Sequence, residues 1–201
     1  MFRVLFLLLP LLMSPLVSAS TLLVLGDSLS AAYGISREQG WVALLDRRLQ
    51  QEGYAVEVVN ASISGETTQG GLNRLPALLE RHQPDIVLLE LGANDGLRGT
   101  FPAVIHQNLA RLTELSQGQG AHVLLLGMQL PPNYGPAYTR RFAALYPAVA
   151  TARSAALVPF FMARVATESA LMLNDGLHPN AAGQPHLLEN VWPVLEPMLA
   201  R

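Results

Sequence analysis

Short apolar segments alternate with longer amphipathic segments along most of the chain. Five apolar segments have the length of strands, and three of them are near-continuous runs of valine, leucine and isoleucine. Such runs are typical of strands that are buried on both faces of a sheet. The predicted strands are Thr21–Gly26, Ala55–Asn60, Asp85–Gly92, Ala121–Met128 and Ala155–Pro159.

The segments between these strands carry leucines at helical spacing. Glycine or proline marks the ends of several of them, as in many helices. Helices are predicted over residues 40–53, 71–84 and 101–120, and residues 136–152 and 181–199 are further helical candidates. Strands that alternate with helices predict βαβ units, and hence an α/β fold with a parallel sheet and helices on both faces.

Polar and glycine-rich residues follow four of the predicted strands. The segments are "GDS" after the first strand, "NASISGETT" after the second, "GANDG" after the third and "QLPPNYG" after the fourth. In parallel α/β sheets, sites form outside the carboxyl ends of the strands. We therefore expect the functional residues to gather at one edge of the sheet.

The first 20 residues have the pattern of a secretory signal peptide. A single cation, Arg3, precedes an apolar stretch over residues 4–17, and Val17, Ser18 and Ala19 form a small-residue cleavage pattern. The sequence predicts a signal peptide over residues 1–19 and one exported domain over residues 20–201. A buried first helix or an uncleaved anchor is the alternative.

Composition limits the function classes further. The chain has 201 residues and no cysteine, so it is neither a lipoprotein nor a disulfide-stapled scaffold. Its formal net charge is only −2, and no basic run occurs. This charge pattern argues against a nucleic-acid partner.

Ser28, in "GDSLS", is the candidate nucleophile. Serine attacks only when a base takes its proton and when it stands clear of its own backbone. Gly26 would permit a tight strand-to-helix turn that exposes Ser28 at a helix N-terminus. The segment is not a G-x-S-x-G elbow, because residue 30 is Ser30. The alternative is that Gly-Asp-Ser merely caps a helix.

His178 is the candidate base. It lies in "LNDGLHPN", with Asp175 three residues before it and Gly176 allowing the turn between them. A carboxylate at that distance can bind the imidazole Nδ1 and stabilise the imidazolium. The alternative is an ordinary turn with an Asx interaction. Surface or capping roles are favoured for the other histidines, which are His82, His106, His122 and His186.

Two further segments offer hydrogen-bond donors for an oxyanion. Gly65 can present a backbone N–H without obstruction, and Asn94 has a neutral side-chain amide. Turn formation is the alternative for both. The carboxylates Asp27 and Asp95 lie beside these residues; we expect Asp27 to cap the turn and Asp95 to order its loop.

These four segments resemble the blocks of the SGNH (GDSL-type) hydrolase family, in particular its bacterial thioesterase I, lysophospholipase L1 and arylesterase branch. "GDSLSAAYG", "VVNASISGETTQGGLNRLPALL", "ELGANDGLRG", "QLPPNYGPAY" and "VPFFM" carry the resemblance over essentially the whole chain after the leader. Ala93 departs from the branch, because a second glycine is usual there.

The resemblance implies a flavodoxin-like three-layer α/β/α sandwich with a five-stranded parallel sheet. It implies an acyl-enzyme formed on Ser28, with His178 as base and Asp175 as the orienting acid. The implied oxyanion hole consists of the backbone N–H groups of Ser28 and Gly65 and the side chain of Asn94.

The resemblance also implies a serine esterase that acts on aryl esters, short-to-medium acyl esters and thioesters, and lysophospholipids. No metal and no cofactor are needed, and the expected protein is a monomer in the periplasm or the medium. Tyr134 and Tyr138 are candidates for a wall of the acyl site, with a rigid turn as the alternative. The other functions considered are an acetylesterase for acetylated carbohydrates and a flavin-binding module.

Overall fold

The computed structural model describes residues 19–199. Its strands are β1 (Ser20–Gly26), β2 (Val56–Asn60), β3 (Ile86–Glu90), β4 (His122–Leu126) and β5 (Ala156–Val158). Its α-helices are α1 (Trp41–Gln51), α2 (Thr68–His82), α3 (Ala93–Leu97), α4 (Pro102–Gly118), α5 (Pro136–Ala143), α6 (Leu145–Arg153) and α7 (Gln184–Leu195).

The five strands form one parallel sheet in the order β2-β1-β3-β4-β5. This is the flavodoxin-like order, and it confirms the predicted fold class. Helix α1 packs against α7, and α4 packs against both α2 and α6. The chain turns to opposite sides of the sheet on leaving β1 and β3, so the carboxyl ends of these two strands flank the crevice where ligands bind in such folds.

The core lies on both faces of the two central strands. Leu22, Leu23, Val24 and Leu25 of β1 are completely buried, and every residue of β3 is buried. Strand β2, at one edge, is only partly buried. The continuous apolar runs in the sequence are therefore the strands that have helices on both sides.

The two further helical candidates are largely helical, but the structure divides one of them and shortens the other. Residues 136–152 form two helices rather than one, α5 and α6, with Ala144 between them. Pro147 lies in the first turn of α6, where no intrahelical N–H is needed; in a continuous helix it could not donate to the carbonyl of Ala143. The segment 181–199 is helical only from Gln184, and α7 ends at Leu195 before a short 3₁₀ turn.

No helix begins directly after Ser28, contrary to the predicted strand-to-helix turn. Residues 28–34 form successive turns, and α1 begins only at Trp41. Ala32 and Gly34 have φ of 59° and 76°, which a right-handed helix does not allow. The side chain of Asn60 also donates to the carbonyl of Ser30 at 2.8 Å, so β2 holds this turn in place.

Residues 1–18 of the predicted signal peptide lie outside the described residues. Between residues 19 and 199, no helix combines the length and the apolar character that crossing a bilayer requires.

Candidate active site

The structure brings Ser28, His178 and Asp175 together at the carboxyl edge of the sheet. Ser28 follows β1, and the other two lie in the loop that precedes α7. His178 Nε2 is 2.9 Å from Ser28 Oγ, and His178 Nδ1 is 2.7 Å from Asp175 Oδ2. These contacts form a continuous relay from carboxylate through imidazole to hydroxyl.

A tight turn fixes Asp175 against His178. Gly176 has a φ of 66°, and Asp175 Oδ1 accepts the backbone N–H groups of Leu177 at 2.9 Å and His178 at 3.0 Å. These contacts, led by the backbone hydrogen bond from His178, lower the pKa of Asp175 to about 2. The ionised carboxylate can only accept, so it places the imidazole proton on Nδ1 and leaves Nε2 free to accept the proton of Ser28.

Tyr33 packs on the imidazole, a contact that the sequence did not suggest. The two ring centroids are 4.5 Å apart at an angle of 40°, and Tyr33 remains 51% exposed. No spacing rule links an aromatic five residues after a serine to a histidine in another loop, so only the structure reveals this contact.

Three candidate oxyanion donors have unused hydrogens. Asn94, in α3, donates one amide hydrogen to Asp27 Oδ2 at 2.9 Å and keeps the other. Within residues 19–199, the backbone N–H groups of Ser28 and Gly65 have no acceptor. Gly65 has a φ of 81° and is exposed, and its carbonyl accepts a hydrogen bond from Arg98 at 3.1 Å.

The rival carboxylates hold the loops of the site together, and neither forms a hydrogen bond to His178. Asp27 Oδ1 accepts the N–H of Leu29 at 3.0 Å, so Asp27 caps its own turn. Asp95 accepts both the N–H and the hydroxyl of Thr68, at 2.8 and 2.6 Å, and thereby joins α3 to the start of α2. Burial is the main reason that the pKa of Asp27 rises to about 6.

Beneath the nucleophile turn lies Glu90, the last residue of β3, which is completely buried. Its Oε2 accepts the N–H of Asp27 at 3.1 Å and the hydroxyl of Ser30 at 2.8 Å. A Cβ on Gly26 would lie 2.8 Å from the same oxygen. Gly26 does not have a positive φ, so its missing side chain serves mainly to admit Glu90. Sequence reasoning missed Glu90 because it falls within a run read only as a strand.

A cavity of about 440 Å³ opens beside Ser28, Asn94 and His178. The loop after β4 and the segment after β5 supply most of its wall, which is largely apolar. Six of the apolar lining residues are Leu97, Met128, Leu130, Phe160, Met162 and Met172. A second cavity, of about 300 Å³, lies beyond the turn at 30–32 and touches none of the triad.

Tyr134 and Tyr138 do not line the cavity beside Ser28, contrary to the expectation that they form its wall. The hydroxyl of Tyr134 donates to the carbonyl of Leu97 at 3.1 Å, and that of Tyr138 donates to the carbonyl of Thr100 at 2.8 Å. The two hydroxyls therefore satisfy one carbonyl group at the end of α3 and one just beyond it. From the same loop, Gln129 and Leu130 reach the cavity, together with the two prolines that follow them.

A parallel α/β sheet that carries a Ser–His–Asp relay at its carboxyl edge has the arrangement of a serine hydrolase. The profile of the GDSL-like Lipase/Acylhydrolase family matches residues 24–185. The chain therefore belongs to the GDSL-like lipase/acylhydrolase family.

Several known proteins are similar to this chain over most of its length. Esterase TesA of Pseudomonas aeruginosa is 58% identical over 182 residues, which cover 90% of each chain. The thioesterase 1/protease 1/lysophospholipase L1 of Escherichia coli strain K12 is 45% identical over 194 residues, which cover 96% of this chain and 92% of that protein. The crystal structure of the psychrotrophic esterase EstA from Pseudoalteromonas sp., inhibited by monoethylphosphonate, superposes with a TM-score of 0.85 at 44% identity and covers 89% of this chain and 97% of that one.

Proposed function

We propose that this protein is a serine esterase that hydrolyses carboxylic esters and thioesters through an acyl-enzyme on Ser28. The observation that carries the proposal is the relay of 2.7 and 2.9 Å from Asp175 through His178 to Ser28. Two of the relatives, an esterase and a thioesterase/lysophospholipase by name, belong to the same reaction class.

The reaction follows from the relay. His178 Nε2 takes the hydroxyl proton as Ser28 Oγ attacks the acyl carbonyl, and Asp175 stabilises the imidazolium that forms. The carbonyl oxygen, now an oxyanion, receives hydrogen bonds from the backbone N–H groups of Ser28 and Gly65 and from Asn94. His178 then gives its proton to the leaving alkoxide or thiolate, and the C–O or C–S bond breaks.

The second half of the reaction mirrors the first. His178 takes a proton from water, the hydroxide attacks the acyl-enzyme, and the same donors hold the second oxyanion. The proton returns to Ser28 Oγ as the carboxylic acid leaves. Every proton and bond in the cycle is accounted for by the ester, water and these side chains, so no cofactor takes part in the proposed reaction.

The cavity indicates which esters fit. An apolar wall of leucine, methionine and phenylalanine beside Ser28 suits an aryl group or a short-to-medium acyl chain better than a hydroxyl-rich sugar. We therefore propose aryl esters, acyl esters and thioesters, and lysophospholipids as substrates. Acetylated carbohydrates are the competing class.

We also propose that residues 1–19 are removed on export, so that the mature enzyme works in the periplasm or the medium as a monomeric single domain. Strand β1 begins at Ser20, so cleavage after Ala19 would leave the sheet intact. Amino-terminal sequencing of the protein from the periplasmic fraction tests the cleavage site. Recovery of an uncleaved chain from the membrane would contradict this proposal.

The first experiment is hydrolysis of p-nitrophenyl esters from acetyl to palmitoyl by the mature protein and by S28A. We expect S28A to lose roughly 10⁶-fold in kcat, as in other triads. S36A is the matched control, because Ser36 is an exposed serine outside the cavity. Activity restricted to the acetyl ester would favour the carbohydrate esterase. Full activity in folded S28A, or none in the wild type, would refute the proposal.

A further inference from the structure

A completely buried carboxyl group lies directly under the nucleophile turn. Glu90 Oε2 accepts the backbone N–H of Asp27 at 3.1 Å and the hydroxyl of Ser30 at 2.8 Å. Ser30 Oγ in turn accepts the indole N–H of Trp41 at 3.2 Å. Glu90 thus contacts the turn on both sides of Ser28 without touching the triad or the cavity.

The surroundings of Glu90 favour its neutral form. Among residues 19–199, no arginine or histidine forms an ion pair with it, and an unpaired buried carboxylate is costly. Burial, and then the negative charge of Asp27, raise the pKa of Glu90 well above its usual range. Its Oε1 has no hydrogen-bond partner, so no donor stabilises a negative charge on this oxygen.

The neighbouring carboxyl, Asp27, connects Glu90 to the oxyanion site. Burial raises the pKa of Asp27, and the hydrogen bonds from Leu29 and Asn94 and the charge of His178 oppose this rise. Glu90 reaches this residue through the backbone, because Glu90 Oε2 accepts the N–H of Asp27 at 3.1 Å. Asp27 Oδ2 is the acceptor that holds the Asn94 amide at 2.9 Å.

We propose that Glu90 is a positioning residue. By accepting the backbone N–H of Asp27 and the hydroxyl of Ser30, it fixes Asp27, and through Asp27 it fixes the side-chain amide of Asn94 for the oxyanion. With Glu90 in place, Asp27 keeps one orientation, and the second Asn94 hydrogen is already directed when the oxyanion forms. Preorganised donors stabilise a transition state because they need no reorganisation during the reaction. This inference rests on the proposed esterase mechanism.

A purely packing role explains the local structure less well. An apolar side chain would fill the same space without an orphaned oxygen, but it would leave the N–H of Asp27 and the hydroxyl of Ser30 without this acceptor. The chain instead leaves Gly26 without a side chain, at a distance where a Cβ would lie 2.8 Å from Glu90 Oε2. The missing side chain at Gly26 therefore makes room for the carboxyl group of Glu90 in particular.

The test compares E90Q and E90M in the mature protein. Glutamine keeps a neutral donor and an acceptor, whereas methionine keeps the length and loses both. We expect E90M to lose roughly 10- to 100-fold in kcat with little change in KM, since displaced catalytic groups cost about that much. E90Q should recover most of this loss. Equal losses in E90Q and E90M, or none in E90M, would overturn the proposal.

A double-mutant cycle with N94A separates positioning from packing. If Glu90 acts through Asn94, the E90M substitution should lower kcat only slightly in a protein that already carries N94A. Additive losses would mean that Glu90 does not act through Asn94, and the proposal would fall. Thermal unfolding of all four proteins shows whether each variant is folded.

A second readout does not depend on ester hydrolysis. The side-chain amide signals of Asn94 in ¹H–¹⁵N spectra are assigned by their loss in N94A. E90M should move them towards the positions of a solvent-exposed asparagine, and E90Q should not. Such a shift in a protein without esterase activity would support the positioning role and refute the proposed function. Signals unchanged in E90M would refute the positioning role even in an active esterase.

Discussion

Replacing Gly26 by alanine tests how closely β1 and β3 approach each other at the site. The new methyl group would lie 2.8 Å from Glu90 Oε2, from Ser30 Cβ and from Ser30 Oγ. All three atoms belong to the pair joined by the 2.8 Å hydrogen bond between Ser30 and Glu90. The methyl group must therefore separate this pair or push the nucleophile turn away from the sheet.

The cost of this substitution follows from two contributions. Overpacking a core by one carbon costs about 1–3 kcal/mol, and loss of a buried hydrogen bond costs about 1 kcal/mol more. In a domain of this size, each kcal/mol lowers Tm by about 2–4 °C. We expect Tm to fall by roughly 5–15 °C. We expect kcat to fall by about 10²-fold, because Ser28 is two residues away and catalysis tolerates little misplacement.

Thermal unfolding and p-nitrophenyl ester hydrolysis measure the two effects in G26A. G118A is the matched control, since a Cβ on Gly118, at the end of α4, would have no neighbour within 4 Å. That variant should keep its kcat and gain up to about 1 kcal/mol in stability, because alanine is the better helix former. Unchanged Tm and kcat in G26A would show that Glu90 does not occupy the space beside Gly26, and the reasoning would be wrong.

Three further predictions concern other residues of the site. N94A should lower kcat roughly 10²- to 10³-fold with little change in KM, as loss of one oxyanion donor does; an unchanged kcat would exclude Asn94 as a donor. Y33A should lower kcat while Y33F keeps it, because the ring and not the hydroxyl packs on His178; an equal loss in Y33F would refute this explanation. Burial raises the pKa of Asp27 from 3.8 to about 6, so this carboxyl binds its proton more tightly in the folded chain than in the unfolded chain. The free energy of unfolding of the wild type should therefore fall as pH rises from about 4 through about 6. Urea unfolding across this range should show a smaller fall in the free energy of unfolding for D27N. An equal fall in both proteins would contradict the raised pKa of Asp27.

The parallel sheet could be predicted because its central strands have an unmistakable pattern. The runs that became β1 and β3 each contain four consecutive apolar residues, Leu22–Leu25 and Ile86–Leu89, as is typical of strands that are covered on both faces. The prediction of a helix after Ser28 was wrong because contacts distant in sequence decide the structure there. Its alanines favour a helix locally, but the hydrogen bond from Asn60 to the Ser30 carbonyl and the positive φ of Ala32 override that preference.

The candidate site was predictable where its partners are close in sequence. Asp175 and His178 are three residues apart, so a turn suffices to join them. Ser28 and His178 are 150 residues apart, and their contact depends on the sheet bringing both loops to one edge. Tyr134 and Tyr138 show the limit of such inference, because the sequence gives an aromatic-rich loop but not the carbonyl groups that hold its hydroxyls.

Glu90 shows a further limit of sequence-based prediction. The sequence alone does not show whether an acidic residue at the end of an apolar run lies on one face of the sheet, on the other face or in solvent. Its meaning appears only in the register of the sheet, where Gly26 pairs with Glu90 across β1 and β3. A glycine before the nucleophile and a glutamate 64 residues later are then one feature, because the absence of a side chain at one position makes room for the carboxyl group at the other. The same pairing explains why β1 ends in Gly26, directly before Asp27 and Ser28. The turn that presents Ser28 packs on a buried acid and is not the start of a helix. A substitution at either position should therefore alter both the stability of the turn and the chemistry of Ser28.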